Sequence, residues 1–201
     1  MATFMDAMGK AYGQAATEKL FQDFNSCLVS SRSIIRRRRT DLSSNWPADA
    51  AAEAKLIGNA RLIRYIKVYV RPGMGPRYEE LLLQIKGVLE KNDPHSAGLV
   101  SQVVAGERGG VIYYIAQPRK SFADFDGLQS MMQMMGDQAF REYQRAVSEL
   151  VTSSEVTISM IVPSFSNPPA ETAAAAPDFW NPKPPPPPKP PAAAKAPAKK
   201  S

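Results

Sequence analysis

Few side chains in this sequence have the types and spacing that catalysis or metal binding requires. The chain contains one histidine, His95, and one cysteine, Cys27. A lone histidine lacks the partner that orients it in a nucleophilic site, and a single cysteine excludes disulfide frameworks and Cys/His zinc sites. We expect His95 at the surface of a loop and Cys27 as a small buried apolar residue. The sequence therefore favours a protein that is not an enzyme, and it predicts no metal and no cofactor.

Aromatic, hydroxyl and amide groups on strand-like segments form the main candidate site. Successive residues of a strand point to opposite faces, so 61–70 divides into an apolar set and a second set that contains tyrosine and lysine. We expect the second set on the sheet face that no helix covers. Such a mixed face is too apolar to stay in water, which indicates an interface with a pocket for a small apolar or phenolic ligand. The candidate pocket residues are Tyr65, Lys67, Tyr69, Gln102, Tyr113, Tyr114, Thr157 and Ser159.

Four consecutive arginines, Arg36, Arg37, Arg38 and Arg39, form a second candidate site. A strand with an arginine at every position cannot have a buried face. The preferred interpretation is an exposed edge or a disordered segment. Binding of an anion or nucleic acid remains open, and so do salt bridges to acidic residues of the main domain or of another subunit.

The elements that must position these residues follow one another between 61 and 163. The segment 61–70 has the composition of a strand and ends at Arg71-Pro72-Gly73. A helix is predicted from Gly75 to about Lys91 by apolar residues three and four apart. A hairpin over 99–105 and 111–116, a helix to about 152 and a strand over 155–162 complete the series. The fold class is α+β, a ferredoxin-like βαββαβ unit with a four-stranded antiparallel sheet.

Proline and charge divide the chain into regions. Twelve of the 18 prolines follow Ser164, so 164–201 is predicted to be a disordered, extended Pro/Ala/Lys-rich tail. The complete domain, 61–163, has 12 basic and 11 acidic residues, and the excess positive charge lies mainly outside it. The composition therefore does not favour nucleic acid as a partner of that domain.

The N-terminal region indicates an internal repeat. The stretch 44–52 is similar to 166–174, and apolar residues four apart run from Phe4 to Leu28. We interpret 1–52 as a partial repeat with a long helix, a weak strand and a loop, and 53–60 as a linker. With no apolar leader and no long apolar run, the chain as written is predicted to be cytoplasmic and without membrane contact. If it is an N-terminally truncated product, an upstream signal would direct its export.

The complete domain resembles the dimeric α/β-barrel superfamily, which includes the NIPSNAP-like and antibiotic-biosynthesis-monooxygenase-like families. The resemblance rests on residues 68–73, on Pro118 followed by 121–125, and on the element order. It implies a homodimer formed through the sheet face. Members include cofactor-independent oxygenases and domains without known activity, so the resemblance implies a fold and a place for a pocket.

Three functions remain open at this point. The preferred one is a non-catalytic small-molecule-binding or assembly module of the dimeric α/β-barrel type. The first alternative is a cofactor-independent monooxygenase-like enzyme with its pocket on the open sheet face, where lysine or tyrosine would need a shifted pKa to act as a base. The second is RNA binding by that face or by the basic segments. Gly110, Ile112 and Ile115 occupy the positions where RNA-recognition domains carry aromatics, which disfavours it.

Overall fold

The computed structural model describes residues 2–126 and 128–182, so the last part of the predicted tail, 183–201, lies outside the described residues. The strands are β1 (Ile35–Arg38), β2 (Leu62–Val70), β3 (Leu99–Ala105), β4 (Val111–Arg119) and β5 (Val151–Met160). The helices are α1 (Ala2–Tyr12), α2 (Gln14–Ser26), α3 (Ala50–Gly58), α4 (Gly75–Asn92), α5 (Met131–Met135), α6 (Asp137–Leu150), α7 (Ala170–Ala174) and α8 (Pro177–Trp180). Two short 3₁₀ turns, Phe122–Phe125 and Pro163–Phe165, lie between them.

The strands form one antiparallel sheet in the order β1-β3-β4-β2-β5. The α+β class and the antiparallel sheet are confirmed, and the arrangement is compatible with a ferredoxin-like fold. The expectation of four strands is corrected to five. The fifth is β1, which pairs with the outer edge of β3, so that Arg36 lies opposite Val103 and Arg38 opposite Ser101. An exposed edge strand tolerates the three arginines of β1 because its side chains and its outer edge remain near water.

The hydrophobic core lies between the sheet and helices α4 and α6. On α4, Tyr78, Leu81 and Leu82 recur at helical spacing and are buried. On the strands, alternate residues of β2 and β4 point toward them, as a half-covered sheet requires. The buried cluster consists of Leu42, Val68, Val70, Tyr78, Leu81, Leu82, Val100, Tyr113 and Leu150. We call this side of the sheet the helix face and the opposite side the far face.

The C-terminal segment is ordered beyond the predicted domain end. Helices α7 and α8 pack near α3, a helix that occupies most of the predicted linker. Trp180 is buried and donates its indole N–H to the carbonyl oxygen of Gly58 at 2.9 Å, and the Arg61 guanidinium lies 3.6 Å from the ring centre of Phe179. The expectation of disorder from 164 onward is therefore corrected for 164–182, because the aromatic pair gives an alanine-rich segment enough apolar surface to dock.

The N-terminal helices leave apolar side chains in water. Gly13, with φ 83°, separates α1 from α2, and Leu20 and Phe24 on α2 are more than half exposed. Cys27, expected to be buried, is exposed just after α2, because that end of the helix has no covering element. Among the described residues, no helix combines the length and the apolar composition needed to cross a membrane.

The close packing of α3 against α7 gives a test of the ordered C-terminal segment. A Cβ at Gly58 would clash with the carbonyl oxygen of Thr172, so we expect Gly58→Ala to displace α7 and α8 at a cost of about 1–3 kcal/mol. The measurements are urea denaturation and limited proteolysis between α7 and β5. Gly87→Ala is the control, because no atom lies within 4 Å of its added Cβ and alanine favours a helix by about 0.5–1 kcal/mol. Equal stability of the two variants would contradict the docking.

Candidate functional site

The sheet separates the eight predicted pocket residues between its two faces. Tyr65 lies opposite Thr157, Ile63 opposite Ser159, and Lys67 opposite Tyr114, so this group shares the far face with Tyr69. Gln102 and Tyr113 instead lie opposite each other on the helix face, where Tyr113 is completely buried. Their placement differs from the expected one because the apolar residues Val111 and Ile115 set the inward-facing register of β4.

Lys67 is the centre of a charged and aromatic group on the far face. Its Nζ lies 2.7 Å from the Glu107 carboxylate and 4.6 Å and 5.5 Å from the ring centres of Tyr69 and Tyr114. Burial by itself lowers the pKa of Lys67, but the bonds to Glu107 and to the two tyrosines outweigh it and raise that pKa. The Lys67 ammonium therefore stays protonated and is a poor general base for a phenolic substrate.

The far face is partly covered by α3. A cleft of about 290 Å³ lies there, lined by Trp46, Glu53 and Ile57 from one side and by Ile63 and Tyr65 from the sheet. Of the eight predicted pocket residues, Tyr65 alone lines this cleft. The structure therefore does not bring the predicted groups together around one far-face cavity.

The four arginines of 36–39 all have partners within the chain. Arg36 lies 4.7 Å from the ring centre of Tyr114, and Arg37 donates to the Gln102 amide oxygen at 2.9 Å. Arg38 forms an ion pair with Glu53 at 2.8 Å. The first three arginines thus lie on an exposed edge strand and Arg39 follows it, and the run also makes salt bridges to acidic residues of its own chain.

Arg39 forms the most extensive of these contacts. Its Nη2 donates to Glu79 at 2.8 Å and to Asp41 at 2.7 Å, and the Tyr113 hydroxyl donates to the same Glu79 carboxylate at 2.6 Å. The hydrogen bond from Arg39 is the main reason that the pKa of Glu79 is lowered; burial opposes it and the Tyr113 bond supports it. Burial, followed by the Glu79 contact, raises the pKa of Tyr113. This network joins the segment after β1 to α4 and β4.

A larger cavity, of about 340 Å³, lies on the helix face between the sheet, α4 and α5. Its apolar wall includes Ile66, Leu82, Met131, Met134 and Tyr143. Its polar lining includes Arg64, Asp93, Ser96, Gln117 and Arg119. The sequence pattern did not predict this cavity, although the arginine at position 64, within an otherwise apolar inward row of β2, was an available signal.

The two arginines of the cavity have no ionic partner among the described residues. Arg119 is 7% exposed, donates from Nη2 to the Ser96 hydroxyl at 2.6 Å, and leaves its buried Nε without a hydrogen-bond partner. Burial lowers the pKa of Arg119; Asp93 and Asp124 oppose this effect and nearby Arg64 adds to it. Arg64 donates to the Gln117 amide oxygen at 2.8 Å. Neither guanidinium group therefore forms an ion pair among the described residues.

No group of three or more His, Cys, Asp or Glu that could hold a metal ion occurs within the described residues. His95 is exposed, in the turn that precedes β3.

The Arg39 network predicts a pH-dependent contribution to stability. Because the folded pKa values of Glu79 and Asp41 are lowered, their contribution is complete above the ordinary carboxyl pKa and is lost as pH falls through the folded values. We expect Arg39→Met to reduce the free energy of unfolding by about 2 kcal/mol at pH 7. Urea denaturation at pH 7 and at about pH 3 should show that this difference shrinks in acid. Arg37→Met is the control, since its exposed guanidinium bonds a neutral amide, and an equal loss in both variants would contradict the prediction.

Comparison with known proteins gives no match for this chain: no family model, no curated protein and no solved structure corresponds to it. The resemblance to the dimeric α/β-barrel superfamily therefore stays a prediction.

Proposed function

We propose that this chain is a non-catalytic assembly module, and that it associates with a second copy through the free edge of β5 instead of through the sheet face that the dimeric α/β-barrel resemblance implies. The observation that carries this proposal is the exposed, unpaired edge of β5. Its ten residues pair with β2 on one side and with no described strand on the other, and nine of the ten are exposed. An unpaired strand edge of this length is a template for another chain.

The two edges of the sheet differ in a way that supports this interface. The β1 edge consists of arginines after Ile35, and charged side chains discourage edge-to-edge pairing. The β5 edge carries Val156, Ile158 and Met160, which are 55%, 43% and 67% exposed, and its charged residue is Glu155. Only the β5 edge has the apolar surface that a stable partner would bury.

The predicted internal repeat adds a second line of support. The series α1, Gly13, α2, β1, α3 has the same order as α5, Gly136, α6, β5, α7. The two glycines have nearly the same backbone, with φ and ψ of 83° and 151° at Gly13 and of 82° and 162° at Gly136. In this comparison β1 corresponds to β5, and β1 already pairs antiparallel with a sheet edge.

That correspondence also limits how two copies can join. The outer edge of β3 is occupied by β1 of the same chain, so a second copy cannot place its β5 there. Two chains can instead join β5 to β5 about a two-fold axis, which puts the same surface of both copies in contact. The exposed apolar residues of α2, Leu20 and Phe24, supply further surface for association.

The alternatives have less support. The monooxygenase-like function would need a base on the far face, and Lys67 is held as an ammonium by Glu107. RNA binding through 36–39 would have to break contacts such as Arg38 to Glu53 and Arg39 to Glu79. No specific observation on the far face favours either function over assembly.

Light scattering coupled to size exclusion tests the assembly at about 50 µM chain concentration, where a stable dimer would be populated. We expect twice the mass of a single chain. Ile158→Lys should give the single-chain mass, because it places a charge in the proposed contact without disturbing the buried core. Leu83→Lys is the matched control, since Leu83 is a half-exposed apolar residue on α4, and it should stay dimeric.

Two results would contradict the proposal: a wild-type chain that elutes as a monomer, or an Ile158→Lys variant that stays dimeric. Tyr69→Glu distinguishes an interface at the β5 edge from one on the far face. The far face is the interface that the family resemblance implies. If Tyr69→Glu alone abolished the dimer, the contact would lie on the far face and not at β5.

A further inference from the structure

We propose that the helix-face cavity of about 340 Å³ binds a carboxylate that carries a compact apolar chain, with its head on Arg119 and Arg64. This ligand site goes beyond the assembly function and does not depend on it, because the two arginines that would hold the ligand lie on β2 and β4 and not on β5.

Arg119 is the residue that points to an anion. A buried guanidinium is normally paired with a carboxylate, since removing its charge from water without compensation costs stability. Arg119 is 7% exposed, its Nη2 bonds only the neutral Ser96 hydroxyl, and its Nε has no partner. A ligand carboxylate in the cavity would supply the negative charge that Arg119 lacks, because the planar donor array of arginine matches the two oxygens of a carboxylate.

The remaining charges of the cavity agree with an anionic ligand. Three basic residues line it, Arg64, Lys86 and Arg119, against one acidic residue, Asp93. Asp93 raises the pKa of Arg119, but it forms no ion pair with either cavity arginine among the described contacts. The lining therefore keeps a net positive charge that a carboxylate can neutralise.

The rest of the lining selects against a small inorganic anion. Most of the wall is aliphatic or aromatic, from Ile66 and Val68 on the sheet to Leu81 and Leu82 on α4. Met134, on the short helix α5, adds a flexible side chain that can adapt to a ligand. The volume lies near the lower end of small-molecule pockets, about 300–1,000 Å³, which suits a medium-length alkyl chain and not a long one.

Isothermal titration calorimetry with decanoate tests the site on the full chain. We expect saturable binding of one decanoate per chain. Acetate has the same head without the apolar body, and decyltrimethylammonium has the same body with the opposite charge, so both should bind at least about tenfold more weakly. If decanoate fails to bind, or if decyltrimethylammonium binds equally well, the proposal is overturned.

Variants locate the binding. Arg119→Met should weaken decanoate binding about tenfold or more, and because it removes an unpaired buried charge it should not lower the melting temperature. Arg71→Met is the matched control: Arg71 is exposed, contacts the Ser148 carbonyl and does not line the cavity, so its affinity should equal that of wild type. Unchanged affinity in Arg119→Met would place decanoate elsewhere and overturn the site.

Two further variants test the cavity without changing Arg119 and test whether binding is independent of the dimer. Met134→Trp fills the cavity from a partly exposed helix, and it should abolish binding even if Arg119→Met does not fold. Unchanged binding in Met134→Trp would also overturn the site. Met160→Lys, which also places a charge on the exposed apolar surface of β5, should bind decanoate like wild type, because Met160 pairs with Leu62 and does not line the cavity. Failure of the dimer and failure of the ligand site are thus measured separately.

Discussion

The apolar side chains of β2 and β4 that point toward α4 must leave water together, and their burial constrains the rest of the chain. Val70 and Tyr113 are completely buried there. A slip of one residue in either strand would replace Val68 by Lys67 in the core, or Tyr113 by Tyr114, and would move the apolar set into solvent. The same alternation directs Arg64 and Arg119 into the helix-face cavity and Lys67 away from it.

The strand alternation and the connections between strands decide where the charged side chains lie and which of them are buried. Arg39 and Lys67 are mostly buried, and each is paired with a carboxylate, Glu79 and Glu107 respectively. These pairs compensate for the loss of water around the charges. Arg119 is as buried as either of them but contacts a serine and has an unpaired Nε. Unlike Arg39 and Lys67, it has no carboxylate partner among the described residues, and for that reason it marks a site.

Several elements could be predicted from local pattern. The helix expected from Gly75 to about Lys91 is Gly75–Asn92, and the hairpin of β3 and β4 and the last strand lie close to their expected places. The alanine-rich segments α3 and α7 could not be assigned in this way, because they have few large apolar residues and depend on each other. Gly58 allows their contact by lacking a side chain where Thr172 approaches.

By itself, the sequence determined the periodicity of each strand and helix, the separation of a near-neutral domain from a basic tail, and the scarcity of catalytic side chains. Tertiary structure alone decided that β1 adds to the edge of β3, that Arg39 meets Glu79 across 40 residues of chain, and that two arginines share an apolar cavity. The physical reason is that the periodicity of apolar residues in a strand or helix depends only on residues that are close in sequence. The partner of a buried charge depends on packing between distant segments, and only the folded chain brings those together.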